Sequence, residues 1–195
     1  MCSWCYAFQS IFDVLKSQLP ETIILEKVVG GLAPDSQEPM PQAMQDYIKK
    51  TWHEIEQTLP GTHFNFDFWQ NNIPIRSTYP ACRAILAAKK QDLEYEDKII
   101  SAIQKAYYQR AQNPALTKTL SACAEQSGLN VEQFNQDFKS HAIAQQLTEQ
   151  LQLTKSLQVS SFPSLRLVNN SQICEIPINY IDCQPMLADI TSKII

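Results

Sequence analysis

Glycine is scarce in this chain, with 4 residues in 195 against 11 prolines and 21 glutamines. That ratio excludes a collagen-like repeat, leaves few glycine turns, and favours helix, which glutamine supports. Long apolar runs are also missing, and none approaches the ~20 residues of a membrane-spanning helix. No tract of one charge stands out. The 16 basic and 20 acidic side chains give a formal charge of −4, so no electrostatic footprint for nucleic acid is present. No internal repeat or low-complexity segment interrupts the chain. What is there is 44% hydrophobic content, which argues for a packed globule rather than a disordered chain. At this length a chain buries roughly 70% of its unfolded surface and needs no staples.

The periodicity of the apolar residues predicts the order helix, strand, helical block, hairpin, helix. Phe8, Ile11, Phe12, Val14 and Leu15 recur at helical spacing and Pro20 stops them. Residues 22–29, TIILEKVV, read as a buried strand ending at Gly30-Gly31, followed by a proline-rich loop over 32–41. Met44, Tyr47, Ile48, Trp52, Ile55 and Leu59 then form an apolar stripe. Further helices are expected from about Pro80, from Tyr95 through Tyr107 to before Asn113-Pro114, over about 116–127 and over about 139–153, with Asn130 capping another between the last two. Gln133 is placed there for a capping box, and Leu129 and Phe134 for a hydrophobic staple. Residues 162–168 and 172–178 read as two strands joined by Asn169-Asn170, with Cys174, Ile176 and Ile178 on one face. Asp182 is expected to cap a closing helix that offers Ile181, Met186, Leu187, Ile190 and Ile194 to the core. Phe64, Phe66 and Phe68 alternate strictly, as in a short extended segment with one aromatic face.

Position sorts the six cysteines. Cys82, Cys123 and Cys174 sit among apolar residues and read as inert core thiols, and Cys183 as a structural thiol in a first helical turn. Cys2-Ser3-Trp4-Cys5 is different, because a Cys-x-x-Cys that opens a helix is a chemical device. The unpaired N–H groups and partial positive charge of the first turn stabilise a thiolate at Cys2. Spacing of three brings Cys5 one turn below, within disulfide reach, to resolve a mixed disulfide. Trp4 between them can offer an apolar face to a client. Zinc would require two more ligands. The sequence has no second Cys-x-x-Cys and no His-x-x-x-His, and its three histidines lie apart.

The segments MCSWCYAF, VVGGL, YPACRAILAAKKQ and SFPSLRLV resemble the DsbA-like thioredoxin superfamily, in particular its FrnE-like branch of predicted protein-disulfide isomerases. The resemblance spans nearly the whole chain. It implies an α/β thioredoxin-like fold, discontinuous over 1–38 and 155–195, with an all-helical insertion over 39–154. It implies thiol–disulfide exchange by the catalytic pair Cys2 and Cys5, and a cis-proline at Pro163. Ser161, Phe162 and Pro163, with Trp4, then form the substrate-binding edge, and Trp52 and His53 of the insertion are candidates for a wall over it. No cofactor beyond the redox-active disulfide is implied, with glutathione or a thioredoxin-type donor as a co-substrate. The partners expected are protein or small-molecule thiols and disulfides, not nucleic acid or membrane.

Two departures qualify this resemblance. Ser3-Trp4 carries no cation between the cysteines, unlike the Pro-His of DsbA, so strong oxidising power is not expected. The strand that precedes the Cys-x-x-Cys helix in the thioredoxin fold is missing; upstream residues are expected to supply it, the alternative being a sheet that forms without it. With no secretion signal ahead of the motif, the expectation is a cytoplasmic reductase or isomerase. Two other readings compete. One is a glutathione-dependent transferase or isomerase of the kappa-class or hydroxychromene-carboxylate type, which usually keeps a single Ser or Cys at the helix tip. The other is a non-enzymatic chaperone-like module using the aromatic segment around Trp69.

Overall fold

The structure, a computed structural model, describes residues 1–170 and 172–194. Helix α1 (Ser3–Gln18) is followed by an irregular stretch, and then α2 (Gln42–Thr58) and the short α3 (Phe68–Asn71). Next come α4 (Tyr79–Gln91), α5 (Tyr95–Tyr108), α6 (Thr117–Gln126), α7 (Val131–Phe138) and α8 (His141–Ser156). The chain then returns through the antiparallel hairpin β1 (Leu165–Asn169) and β2 (Gln172–Ile176) and closes with α9 (Gln184–Ser192). Among the described residues no helix is long and apolar enough to cross a membrane.

Three apolar clusters hold these elements together. The first packs α4 against α5–α8 through Ile85, Ile99, Ile103, Leu120, Phe134 and Ile143. The second is aromatic, with Trp52, Phe64, Phe68, Tyr107 and Tyr108 against Ala7 of α1. The third sets Phe8 and Leu15 of α1 against Ile176 of β2 and Met186 and Ile190 of α9. Helix α1 thus has one side on the hairpin and α9 and another on the aromatic cluster.

Local chemistry fixed several boundaries as expected. Gly128, at φ +83°, ends α6, and Leu129 N–H reaches back to the Ala124 carbonyl at 3.1 Å. Asn130 Oδ1 accepts from Gln133 N–H at 3.0 Å, but the reciprocal half of the capping box is absent. Gln133 turns to Asp137, and Asn130 N–H is taken by Gln91 at 3.0 Å. Asp182 does bond the first turn of α9, accepting from Gln184 N–H at 2.9 Å, although the N-cap position is Cys183. Helix α8, expected over about 139–153, begins at His141 and is capped by Ser140.

The strand expected over 22–29 does not form. Residues 23–30 take no regular secondary structure and join no ladder among the described residues, and Ile24 is 94% exposed. A strand needs a neighbour for its N–H and C=O groups. Here Val29 N–H bonds the Gln150 side chain at Oε1 instead, at 3.2 Å, and the Lys27 side chain pairs with Asp97. The hairpin strands are also shorter than expected. Pro163 brings no N–H to a ladder, and pairing starts at Leu165 and ends at Ile176. Asn169 pairs with Gln172, so the connection is shifted one residue, with Asn170 at φ +48° and Ser171 outside the described residues.

The aromatic triplet is not a strand face. Phe64, Phe66 and Phe68 wrap the Trp52 indole at centroid distances of 4.8, 5.4 and 6.3 Å, and Phe68 opens α3. Phe64 and Phe68 are buried, so this segment is core rather than an apolar surface for unfolded clients.

Candidate active site

Cys2 is the N-cap of α1. Its Sγ accepts from the Cys5 N–H at 3.3 Å, which is the role a serine or aspartate oxygen plays at other caps. The same thiol donates to the Phe162 carbonyl at 3.3 Å, tying the helix tip to the loop ahead of β1. In that loop the Phe162–Pro163 peptide is cis. Gly30 lies under the Phe162 ring, whose Cε1 comes within 2.0 Å of where a Cβ would sit, so no larger residue fits there without displacing Phe162.

The two thiols are electrostatically unequal. The Cys5 thiol beside it, helped by the N–H groups of Cys5 and Trp4, brings Cys2 down to about 7 against the opposing effect of burial. Cys5 is held well above the usual thiol range, first by donating to Cys2 and then by burial. Both are free thiols. Cys82, Cys123 and Cys183 are buried, and Cys174 is half-buried. Burial pushes Cys82 up and Cys123 to about 11, so neither is a ready nucleophile.

Beside Cys2 an open groove of about 440 Å³ is lined by Trp4, Ser161, Phe162, Pro163, Ser164 and, across from them, Glu175 to Ile178 and Tyr180. Four of the residues expected at a substrate edge, Trp4, Ser161, Phe162 and Pro163, therefore share one surface. Trp52 and His53 do not join it. Trp52 is fully buried beneath the motif, its Nε1–H donating to Ser3 Oγ at 2.8 Å. His53 points to solvent, stacked on Phe66 at 4.3 Å. Consecutive helical residues diverge by about 100°, so burying Trp52 turns its neighbour outward. The wall expected from that pair is not formed.

Sequence reasoning missed Tyr180. Its ring meets Trp4 at 5.0 Å and Phe8 at 5.7 Å, closing the far side of the groove. Burial, with Cys2 and Cys5 nearby, pushes its phenol up to about 12, so it stays a neutral donor. It belongs to an irregular stretch after β2, where no periodicity marks a residue. Tyr108 was missed for another reason. Helix α5 is covered on two sides, and the single stripe through Tyr107 passes Tyr108 by, although both are buried.

Known proteins of similar architecture were found at low identity. A Nitrosomonas europaea structure named as a candidate protein disulfide isomerase matches with a TM-score of 0.83 at 23% identity, covering 99% of this chain and 93% of that one. The cytosolic disulfide reductase DsbM of Pseudomonas aeruginosa matches with a TM-score of 0.77 at 19% identity, covering 99% and 94%. At that identity these likenesses show the fold. In sequence, the ClpXP adapter protein SpxH of Halalkalibacterium halodurans is 26% identical over 176 residues, 88% of this chain. The chain spans only 56% of that curated relative's length. The family model described as Thioredoxin matches residues 1–188, nearly the full length. With a thioredoxin-like fold and a Cys-x-x-Cys at its first helix tip, the chain belongs to the thioredoxin family.

Proposed function

We propose that the protein is a thiol–disulfide oxidoreductase of the disulfide reductase or isomerase type, with Cys2 as nucleophile and Cys5 as resolving thiol. The observation that carries this reading is the placing of the pair, with Cys2 capping α1 over Cys5 and bonded at 3.3 Å to the carbonyl of Phe162, which lines an open groove; the unequal ionisation of the two thiols agrees with it. The Cys2 thiolate attacks one sulfur of a client disulfide, forming a mixed disulfide and expelling the other sulfur as a thiolate. While Cys2 is a thiolate, Cys5 keeps its proton by donating to it. Once Cys2 is in the mixed disulfide that acceptor charge is gone, and Cys5 loses its proton more readily. Cys5 then attacks Cys2 Sγ, closing the Cys2–Cys5 disulfide and releasing the second client thiol. Two electrons have passed to the client. Two glutathione molecules, leaving as glutathione disulfide, or one thioredoxin-type dithiol, leaving as its own disulfide, then supply two electrons to reduce the Cys2–Cys5 bond again. A DsbM structure described with GSH supports a glutathione donor by analogy.

Ser161–Pro163 and Trp4 would hold the client, with Tyr180 added from the structure, and Trp52 and His53 no longer belong in that set. Helices α2–α8 would form an insertion over 39–154 in a thioredoxin-like unit of 1–38 and 155–195. The paired thiols favour this reading over a glutathione transferase or isomerase with a single helix-tip residue.

The test is the pH dependence of iodoacetamide alkylation at Cys2, followed by peptide mass and run beside insulin-disulfide reduction. A group titrating at about 7 loses reactivity as pH falls. At pH 6 only about a tenth of Cys2 is thiolate, against roughly 0.3% of an ordinary thiol with a pKa near 8.5. Both rates are expected to rise together through pH 7. Alkylation with a midpoint of 8.5 or above, with no insulin reduction, would refute the assignment.

A further inference from the structure

Ser3 is the first residue of α1 and the first of the two between the cysteines. A serine at such a position commonly turns its hydroxyl to nearby backbone. Here Ser3 Oγ instead accepts from Trp52 Nε1–H at 2.8 Å, across 49 positions of sequence. Trp52 is completely buried, and its indole is ringed by six aromatic side chains at centroid distances from 4.8 to 6.3 Å. The indole cannot swing without emptying that packing, so its N–H is a fixed point beneath the motif.

A second polar group faces the same place. Tyr108 of α5 is fully buried, with its ring stacked on Tyr6 of α1 at 4.6 Å. Its hydroxyl closes no hydrogen bond among the described residues. It is nonetheless close enough for Ser3, Cys2 and Cys5 to influence its ionisation, although burial dominates. Buried hydroxyls are normally paired, and an orphan beside a functional turn calls for an explanation. Trp52 N–H fills one lone pair of Ser3 Oγ and leaves the serine hydrogen free to donate.

Taking Cys2 as the attacking thiol, we propose that Trp52 and Tyr108 are positioning residues: the indole N–H fixes Ser3 Oγ, and Tyr108 Oη accepts the Ser3 hydroxyl hydrogen, so that the first turn of α1 keeps its N–H groups aimed at Cys2 Sγ. The helical block then acts on the cysteine pair from behind without touching the client. The 3.3 Å contact from Cys5 N–H to Cys2 depends on that turn holding its orientation. The other titratable groups facing Cys2 are Cys5 on its own segment, Tyr108 from α5 and Tyr180 from the loop after β2.

The experiment is the pH midpoint of Cys2 alkylation in the full chain, read by peptide mass, for Ser3→Ala, Trp52→Phe, Tyr108→Phe and the paired variants. Ser3→Ala is expected to raise the midpoint by about half a unit, slowing alkylation roughly threefold at pH 6. Trp52→Phe and Tyr108→Phe should shift it the same way, and Ser3→Thr, which keeps the hydroxyl, should restore it. Because the bonds share one oxygen, Ser3→Ala/Trp52→Phe and Ser3→Ala/Tyr108→Phe should shift it no further than Ser3→Ala alone. If Trp52→Phe does not fold, the Ser3 and Tyr108 pair decides. An unchanged midpoint in folded Ser3→Ala, or shifts that add, would overturn the proposal. The midpoint is read on the thiol itself, so it stands apart from turnover. Wild-type protein that reduces no disulfide, yet shows these shifts, would sink the oxidoreductase reading and leave the positioning intact.

Discussion

Cys2→Ser is expected to abolish disulfide reduction, lowering the insulin-reduction rate by about a hundredfold or more, because an un-ionised hydroxyl cannot replace a thiolate. Cys5→Ala should behave differently. It keeps the nucleophile and removes the group that releases the client, so a stable Cys2 mixed disulfide should accumulate and be visible as an added client mass. The two variants separate two steps that a single activity measurement would merge. Cys82→Ala and Cys174→Ala should leave turnover near wild type, since neither thiol bonds the Cys2 helix tip or the Phe162 carbonyl at the groove. Comparable losses from all four substitutions would mean that the cysteines are structural rather than redox partners.

The second large effect is on stability. Trp52→Ala removes a fully buried indole from the middle of the aromatic cluster and unties Ser3. Large-to-alanine substitutions at such sites cost about 3–5 kcal/mol. For a chain of this size that corresponds to a fall in Tm of roughly 6–20 °C. His53→Ala, one residue along the same helix, should shift Tm by only about a degree or two, since exposed substitutions usually stay within about 0.5 kcal/mol. Scanning calorimetry of the two variants checks this contrast directly. Equal, small shifts would mean that the ring cluster around Trp52 is not a keystone of the fold.

These contrasts show where the sequence was readable and where it was not. The helix tip at Cys2, the glycine stop at Gly128 and the cap at Asn130 each depend on residues within a few positions of one another. Local rules reached them. The fate of residues 23–30 depends on which backbone lies alongside, and β-branched composition alone cannot supply a neighbour. Trp52 carried two roles that periodicity could not separate. The stripe placed it correctly on an inward face, but whether that face met the groove or the underside of the motif was decided by Ser3, Phe64 and Tyr108, all distant in sequence. His53, the next residue of the same helix, turns to solvent against Phe66 instead. Tyr180 lies in an irregular segment whose course is set by packing on Trp4 and Phe8. A site built across α1, the loop ahead of β1 and the loop after β2 is legible only at its motif residues. Its far wall needs the fold.

The central claim is that Cys2 and Cys5 form one redox couple, and equilibration in glutathione buffers of graded poise, quenched with acid and read by peptide mapping, tests it most directly. The account predicts a single two-electron transition in which Cys2 and Cys5 become linked to each other within one N-terminal peptide while Cys82, Cys123 and Cys183 stay reduced. An N-terminal peptide that remains dithiol across the whole range, or that carries only glutathione on one cysteine without ever closing the Cys2–Cys5 bond, would contradict it.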